Sequence, residues 1–116
     1  MFEAPIDLLS AATLYHQRSP DEWDSVHYLS LGGVSLKALE QYLADHQEVR
    51  KITLCLDNDK PGREAAAKIR AALETKGYKV IDALPPSGKD WNQHLCNVIQ
   101  QDKALNRRQK EAAILV

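Results

Sequence analysis

Residues 52–62 read ITLCLDNDKPG and decide the fold class of this chain. The run 52–56 is continuously apolar and rich in strand-forming residues, which is typical of a strand buried on both faces of a sheet. Asp57 and Asp59 follow directly, and Pro61 stands where a helix can begin without losing a backbone hydrogen bond. This order predicts a buried parallel strand that ends in two carboxylates and then leads into a helix.

Strand and helix patterns also alternate upstream of this stretch. Residues 26–31 (VHYLSL) predict a strand, and they run into Gly32 and Gly33 before the next helical pattern. Residues 5–17 predict a helix with Ile6, Leu9 and Ala12 or Thr13 on one side, so only residues 1–3 remain for a strand in front of it. We therefore expect either a very short first strand or a chain that is cut from a larger protein.

The same alternation continues downstream of the central stretch. Gly77 is placed to end the helix that starts at Pro61. Residues 80–84 predict another strand, and residues 90–101 predict a final helix. Such alternation is typical of parallel sheets. We therefore predict a single α/β, Rossmann-like domain that has a four-stranded parallel sheet, with a short or truncated first strand and helices on both faces.

Length and composition fit one soluble domain. The 116 residues are 44% hydrophobic and 27% charged, with a net charge of −1, which excludes the disordered and membrane-spanning classes. The start of the chain lacks the basic region of a signal peptide, so we expect a cytoplasmic protein.

We predict a domain over residues 1–102. Residues 103–116 are predicted to form a basic C-terminal helix or tail, and its cluster favours a solvated face over a DNA contact: Lys103, Arg107, Arg108 and Lys110.

Acidic residues follow three of the predicted strands. Glu3 follows the first, Asp57 and Asp59 follow ITLCL, and Asp90 follows the last. In open parallel sheets, ligands gather where the carboxyl ends of the strands meet. Neighbouring carboxylates repel unless a cation lies between them, and their oxygens suit Mg²⁺. The pattern predicts a metal site, although a structural alternative stays open in which Asp59 caps the next helix and Asp57 makes a turn.

Four segments of the chain, taken together, resemble the Toprim family. FEAPIDLLS (residues 2–10) is similar to the Toprim motif in which a glutamate ends the first strand. LCLDNDKPGREAA (54–66) is similar to the Asp-x-Asp motif that precedes a glycine and a small-residue helix. SLGGVS (30–35) is similar to the turn after the second strand, and LPPSGKDWNQHL (84–95) resembles a segment of primase-like Toprim domains in phage and mobile-element proteins.

The resemblance implies phosphodiester chemistry on nucleic acid that depends on Mg²⁺, or on Mn²⁺ in its place. It implies that Glu3 is the acid/base residue and that Asp57 and Asp59, with Glu3, bind the metal. Asp90 matches a further acidic position near the metal and is the fourth residue of the predicted metal site. Burial or neighbouring carboxylates would let Glu3 move a proton to or from a 3′-hydroxyl.

Basic and small residues beside the predicted metal site are candidates for contacts with phosphate or nucleic acid. The basic candidates are Lys60, Arg63 and Lys89, for which exposure to solvent without a ligand is the favoured alternative. Gly32 and Gly33 allow backbone N–H groups to approach a phosphate closely.

Three hypotheses for the function follow. The first is a primase-like nucleotidyltransferase domain that acts on DNA or RNA and nucleotides. Its larger parent protein would also contain a zinc module, a helicase or a relaxase. The second is a Toprim fold that binds nucleic acid or a partner without turnover. The third is a receiver domain of two-component signalling with Asp57 phosphorylated, which is disfavoured because no acidic pair ends the first strand.

Overall fold

The computed structural model describes residues 1–32 and 36–115, with side chains as far as residue 108. Gly33, one of the candidate phosphate contacts, lies outside these residues. The described residues form four helices and two strands, which come in the following order: α1 (Pro5–Arg18), α2 (Leu36–Asp45), β1 (Lys51–Leu54), α3 (Lys60–Thr75), β2 (Lys79–Asp82) and α4 (Trp91–Leu115). Within the described ranges, no helix has the length and apolar content needed to cross a bilayer.

The predicted four-stranded Rossmann-like sheet is wrong. In the described part of the chain the sheet has two strands, β1 and β2, which pair in parallel with Ile52 opposite Val80. Residues 26–31 contribute only an isolated parallel bridge between Phe2 and Ser30. A single bridge does not build the ladder of hydrogen bonds that would hold residues 26–31 as a full strand. The fold is a mixed α/β arrangement of four helices and this small parallel sheet.

Backbone hydrogen bonds nevertheless align the short first segment with its neighbours. Phe2 makes two of them with residues 29–31, at 2.9 and 3.0 Å, and Cys55 N–H donates to the Met1 carbonyl at 2.8 Å. The first segment therefore lies between residues 29–31 and the end of β1. Because the bridge is parallel, the first segment and residues 29–31 run in the same direction. Glu3 directly follows Phe2, so it lies at the carboxyl end of the first segment.

The core consists of residues from both strands, from α2 and α3 and from the first segment. Leu54, Leu56 and Leu73 are its largest fully buried side chains. Burying a leucine contributes about 1.5–3 kcal/mol, so these residues hold β1 firmly against α3. The buried end of β1 is thereby fixed at the point where the Asp-x-Asp turn begins.

Gly77 ends α3, as predicted from the sequence. Its φ is +89°, in the left-handed region that favours glycine. Its N–H donates to the Glu74 carbonyl at 3.0 Å, and Tyr78 N–H donates to the Leu73 carbonyl at 3.1 Å. This pair of bonds closes the last turn of the helix and directs the chain into β2.

Gly62 allows α3 to start directly against the Asp-x-Asp turn. A Cβ atom at this position would lie 2.2 Å from the Asp57 carbonyl oxygen and 2.9 Å from Asp59 Oδ1. No side chain fits in that space, because the carbonyl belongs to a backbone held by the core. The glycine thus sets the distance between the helix and both aspartates.

We expect Gly62→Ala to destabilise the protein by about 1–3 kcal/mol, because the added methyl group overpacks the turn. Alanine is otherwise the better helix former by about 1 kcal/mol, so the sign of the effect is informative. Ala67→Gly, at an exposed position of α3, is the matched control and should be destabilising. Urea unfolding measures both; a more stable Gly62→Ala variant would contradict the steric argument.

Candidate functional site

The carboxyl end of β1 places Glu3 and Asp57 in direct contact. Glu3 Oε2 accepts a hydrogen bond from the Asp57 backbone N–H at 2.8 Å. Glu3 reaches this position because the first segment runs beside residues 53–55, and Asp57 follows the fully buried Leu56. Two acidic residues that are far apart in the chain therefore meet at one edge of the sheet.

The environment of Asp57 disfavours its charged form. Burial is the largest cause, and a hydrogen bond with Glu3 and the negative charges of neighbouring carboxylates add to it; together they raise the pKa of Asp57 to about 7. The neighbours are Glu3, Asp7 and Asp59. A cation at this point would offset the repulsion and favour the ionised form.

Asp59 is the N-cap of α3. Its Oδ1 accepts a hydrogen bond from Gly62 N–H at 2.8 Å, which is the capping role that the structural alternative assigned to it. Its Oδ2 lies 3.3 Å from Lys89 Nζ. The Gly62 hydrogen bond, followed by Lys89, lowers the pKa of Asp59, so this carboxylate is ionised. Capping occupies one oxygen and leaves the other available to a cation.

Asp90 and Asp7 both bind the start of α4. Asp90 Oδ1 accepts from Gln93 N–H at 2.7 Å, and Asp7 Oδ1 accepts from Asn92 N–H at 3.1 Å. The N-terminal end of a helix favours negative charge, which explains why two carboxylates meet there. Burial raises the pKa of Asp7, while the hydrogen bond from Asn92 opposes that shift.

Asp7 is the site residue that the sequence reasoning missed. Its side chain is buried, with 4% exposed, and its charge acts on Asp57. The signal was its position in the first turn of α1, close to Glu3 in the chain, where the N-terminal end of a helix favours a carboxylate. The apolar pattern of α1 predicts that Ile6 and Leu9 face the core, yet their exposed fractions are 55% and 60%. The buried side of α1 is therefore partly polar, and Ser10 Oγ also contacts Asn92 Oδ1 at 3.1 Å.

The candidate phosphate contacts differ in how firmly they are held. The Arg63 guanidinium pairs with Asp82 at 2.5 Å and contacts the carbonyls of Leu56 and Asp57, each at 3.4 Å. It thereby braces the turn after β1. Lys60 is exposed at the start of α3, and Gly32, with a φ of +61°, is exposed where the chain leaves the bridged segment. The role of these residues toward phosphate remains a prediction.

The donors at this edge fit a hard divalent cation. They are carboxylate oxygens, the ligands that Mg²⁺ and Mn²⁺ prefer, and the Lys89 ammonium already acts as a counter-cation on Asp59. Among the described residues, no three His, Cys, Asp or Glu side chains are arranged so that they could hold a metal ion. Binding would therefore require side chains of this acidic cluster to turn toward the ion. The cluster consists of Glu3, Asp7, Asp57, Asp59 and Asp90.

Comparison with known protein families agrees with this geometry. A profile described as Toprim-like matches residues 1–95, which contain all the carboxylates of the cluster. The chain belongs to the Toprim-like family. Membership supports a metal-dependent function on nucleic acid in general, and it favours this interpretation over a receiver domain.

The Toprim-like domain also resembles part of a longer protein. It is 35% identical over 68 residues to a protein of Mycoplasma pneumoniae (strain ATCC 29342 / M129 / Subtype 1) named "Uncharacterized protein MG010 homolog". The alignment covers 58% of this chain and 32% of the relative, so the aligned segment makes up about a third of that protein. No solved structure matches the Toprim-like domain significantly.

The raised pKa of Asp57 gives the Toprim-like domain a specific dependence on pH. The folded state holds this proton more tightly than the unfolded state, so the contribution of Asp57 to stability is lost as pH rises from about 4 to about 7. We expect Asp57→Asn to remove this dependence and to be more stable than the parent at pH 8. Urea unfolding at pH 5 and pH 8 measures the difference.

Asp102→Asn is the control for charge, because this residue is exposed on α4. It should leave the difference between the two pH values close to that of the parent. An unchanged pH dependence in Asp57→Asn would show that the carboxylates do not crowd Asp57 in solution.

Proposed function

We propose that this Toprim-like domain carries out Mg²⁺-dependent nucleotidyl transfer or phosphodiester chemistry on nucleic acid, within a larger primase-like replication or mobilisation protein. One contact supports the proposal above all: the hydrogen bond from the Asp57 amide to the Glu3 carboxylate. It joins the glutamate of the first segment to the Asp-x-Asp turn. A bound cation would reduce the electrostatic repulsion within the resulting cluster of negative charge.

Each acidic residue has a distinct role in this proposal. Asp57, Glu3 and the outer oxygen of Asp59 would hold the ion, and Asp90 would stand beside it. A bound Mg²⁺ supplies charge neutralisation on the phosphoryl group and lowers the pKa of a coordinated hydroxyl. Glu3 would exchange a proton with the 3′-hydroxyl of the nucleic acid, which requires hydrogen-bond distance between the two groups.

The proposed substrate contacts come from the basic residues at the same edge. Lys60 begins α3 and Lys89 lies in the loop before α4, and both are exposed. Arg63 would act mainly by bracing the Asp57 turn, because its guanidinium already has protein partners. Backbone N–H groups near Gly32 and Gly33 would add contacts to phosphate.

A second candidate is a non-catalytic module that binds nucleic acid or a partner. Two observations favour it: the net charge of −1, and the lack of a complete metal-ligand group among the described side chains. Metal binding by the domain without any reaction in the intact parent protein would support this candidate over the enzyme.

The parent protein is proposed to supply the rest of the machinery. The Mycoplasma relative is about three times as long as the segment that aligns with this chain. Neighbouring domains of the zinc-module, helicase or relaxase type would deliver DNA or RNA and nucleotides to the cluster. Sequencing the full parent gene product and assaying it for primer synthesis and strand cleavage would distinguish the two reactions.

Metal titration tests the proposed site directly. We expect Mn²⁺ or Mg²⁺ to bind the domain, and the double variant Asp57→Asn with Asp59→Ser to bind at least about tenfold more weakly, because losing even supporting groups costs that much. Serine keeps the capping hydrogen bond to Gly62 while removing the charge of Asp59. Isothermal titration calorimetry measures the affinities.

The control for this titration removes two charges elsewhere. Asp45→Asn with Asp102→Asn changes exposed carboxylates on α2 and α4, and it should bind the metal as the parent does. Equal affinity in the parent and in the Asp57/Asp59 double variant would refute the metal site and, with it, the proposed chemistry.

A further inference from the structure

The backbone of Lys89 is fixed beside the Asp-x-Asp turn. Its carbonyl accepts a hydrogen bond from Asn58 N–H at 2.6 Å, and its own N–H donates to Gln93 Oε1 at 2.8 Å. The preceding Gly88 has a φ of +73°, and a Cβ atom there would lie 2.7 Å from the Gln93 side chain. The loop is therefore joined to both the turn after β1 and the first turn of α4.

Among the residues that the structure describes, the side chain of Lys89 has a polar contact at its ammonium group alone. Its ammonium lies 3.3 Å from Asp59 Oδ2, and 60% of the side chain is exposed. Because Asp59 Oδ1 accepts the hydrogen bond from Gly62, Lys89 occupies the carboxylate oxygen that remains for a cation. The hydrogen bond and charge of Asp59, with smaller effects of Asp57 and Asp90, raise the pKa of Lys89, so the ammonium stays charged at neutral pH.

We propose that Lys89 is a tethered counter-ion that competes with the divalent cation for Asp59 and turns toward the substrate phosphate when that cation binds. This inference rests on the proposed function and specifies how its metal site is regulated. Lysine suits the role because it carries a compact charge on a flexible four-carbon stem. The head can leave Asp59 while the backbone bonds to Asn58 and Gln93 keep the residue in place.

The two other basic candidates lack this combination of a fixed backbone and a charged group that is free to move. Arg63 is held by Asp82 and by two backbone carbonyls, so its charge cannot move without releasing the turn. Lys60 is adjacent to Asp59 in the chain and exposed, but it forms no salt bridge with any described residue. Lys60 is therefore a matched control with the same charge next to the same carboxylate.

Mn²⁺ affinity, measured by calorimetry on the domain without nucleic acid, tests the competition. Lys89→Gln should bind Mn²⁺ about two- to fivefold more tightly than the parent, because an exposed ion pair of this kind shifts an equilibrium by about that factor. Lys60→Gln should stay within about twofold of the parent, since it removes charge but no ion pair. The gain in Lys89→Gln should shrink as NaCl is raised, because salt weakens the pair.

Lys89→Arg provides a second variant that keeps the charge, and its Mn²⁺ affinity should remain close to that of the parent. Urea unfolding confirms that each variant is folded before titration. Unchanged or weaker binding in Lys89→Gln, combined with loss of binding in the Asp57/Asp59 double variant, would overturn the competition and leave the metal site standing. Equal Mn²⁺ affinity in the parent and in the Asp57/Asp59 double variant would overturn the metal site itself.

Discussion

Backbone amides make the crowding of carboxylates at one edge of this domain tolerable. Four of the five acidic side chains accept a hydrogen bond from a main-chain N–H, and each of these donors lies just after a strand or in the first turn of a helix. The pairs are Glu3 with Asp57, Asp59 with Gly62, Asp90 with Gln93, and Asp7 with Asn92. Hydrogen bonds to the charged form stabilise it, which offsets part of the mutual repulsion. The carboxyl group of Asp57 differs, since no described backbone amide donates to it; burial, followed by its contact with Glu3 and the neighbouring negative charges, raises its pKa.

Helix capping and metal binding are compatible in this arrangement. A capping carboxylate uses one oxygen for the helix and presents the other to the space in front of it. Asp59 shows this division: one oxygen meets Gly62 and the other meets Lys89. The caps also fix the directions of the free oxygens, because α3 packs into the core and α4 packs against α1. The structural alternative for Asp59 is therefore part of the proposed site and not a competitor to it.

The sequence predicted the features that depend on local signals. The buried run before Asp57, the helix that starts near Pro61 and the ending of that helix at Gly77 are all present, because hydrophobic pattern, proline and glycine act within a few residues. Two of the acids that the sequence places at strand ends, Glu3 and Asp57, are joined by a hydrogen bond from the Asp57 amide. Whether they bind a metal remains a prediction.

Features that depend on distant partners were not predicted. Residues 26–31 have strand-forming composition, but a strand needs a neighbour of matching length, and the first segment offers a single bridge. On α1, the apolar pattern pointed to Ile6 and Leu9, whereas the buried side is set by hydrogen bonds to α4. Asp7 was missed for this reason, because its burial depends on a helix that begins 84 residues later, at Trp91.

The unbroken length of α4 extends the influence of the acidic edge far along the molecule. Its 25 residues extend about 37 Å at the usual rise per residue, and its first turn carries the bonds to Asp7, to Asp90 and to the loop of Lys89. A helix of this kind transmits displacement along its axis more readily than it bends. A displacement of its distal half would therefore reach the acidic edge through the hydrogen bonds of its first turn.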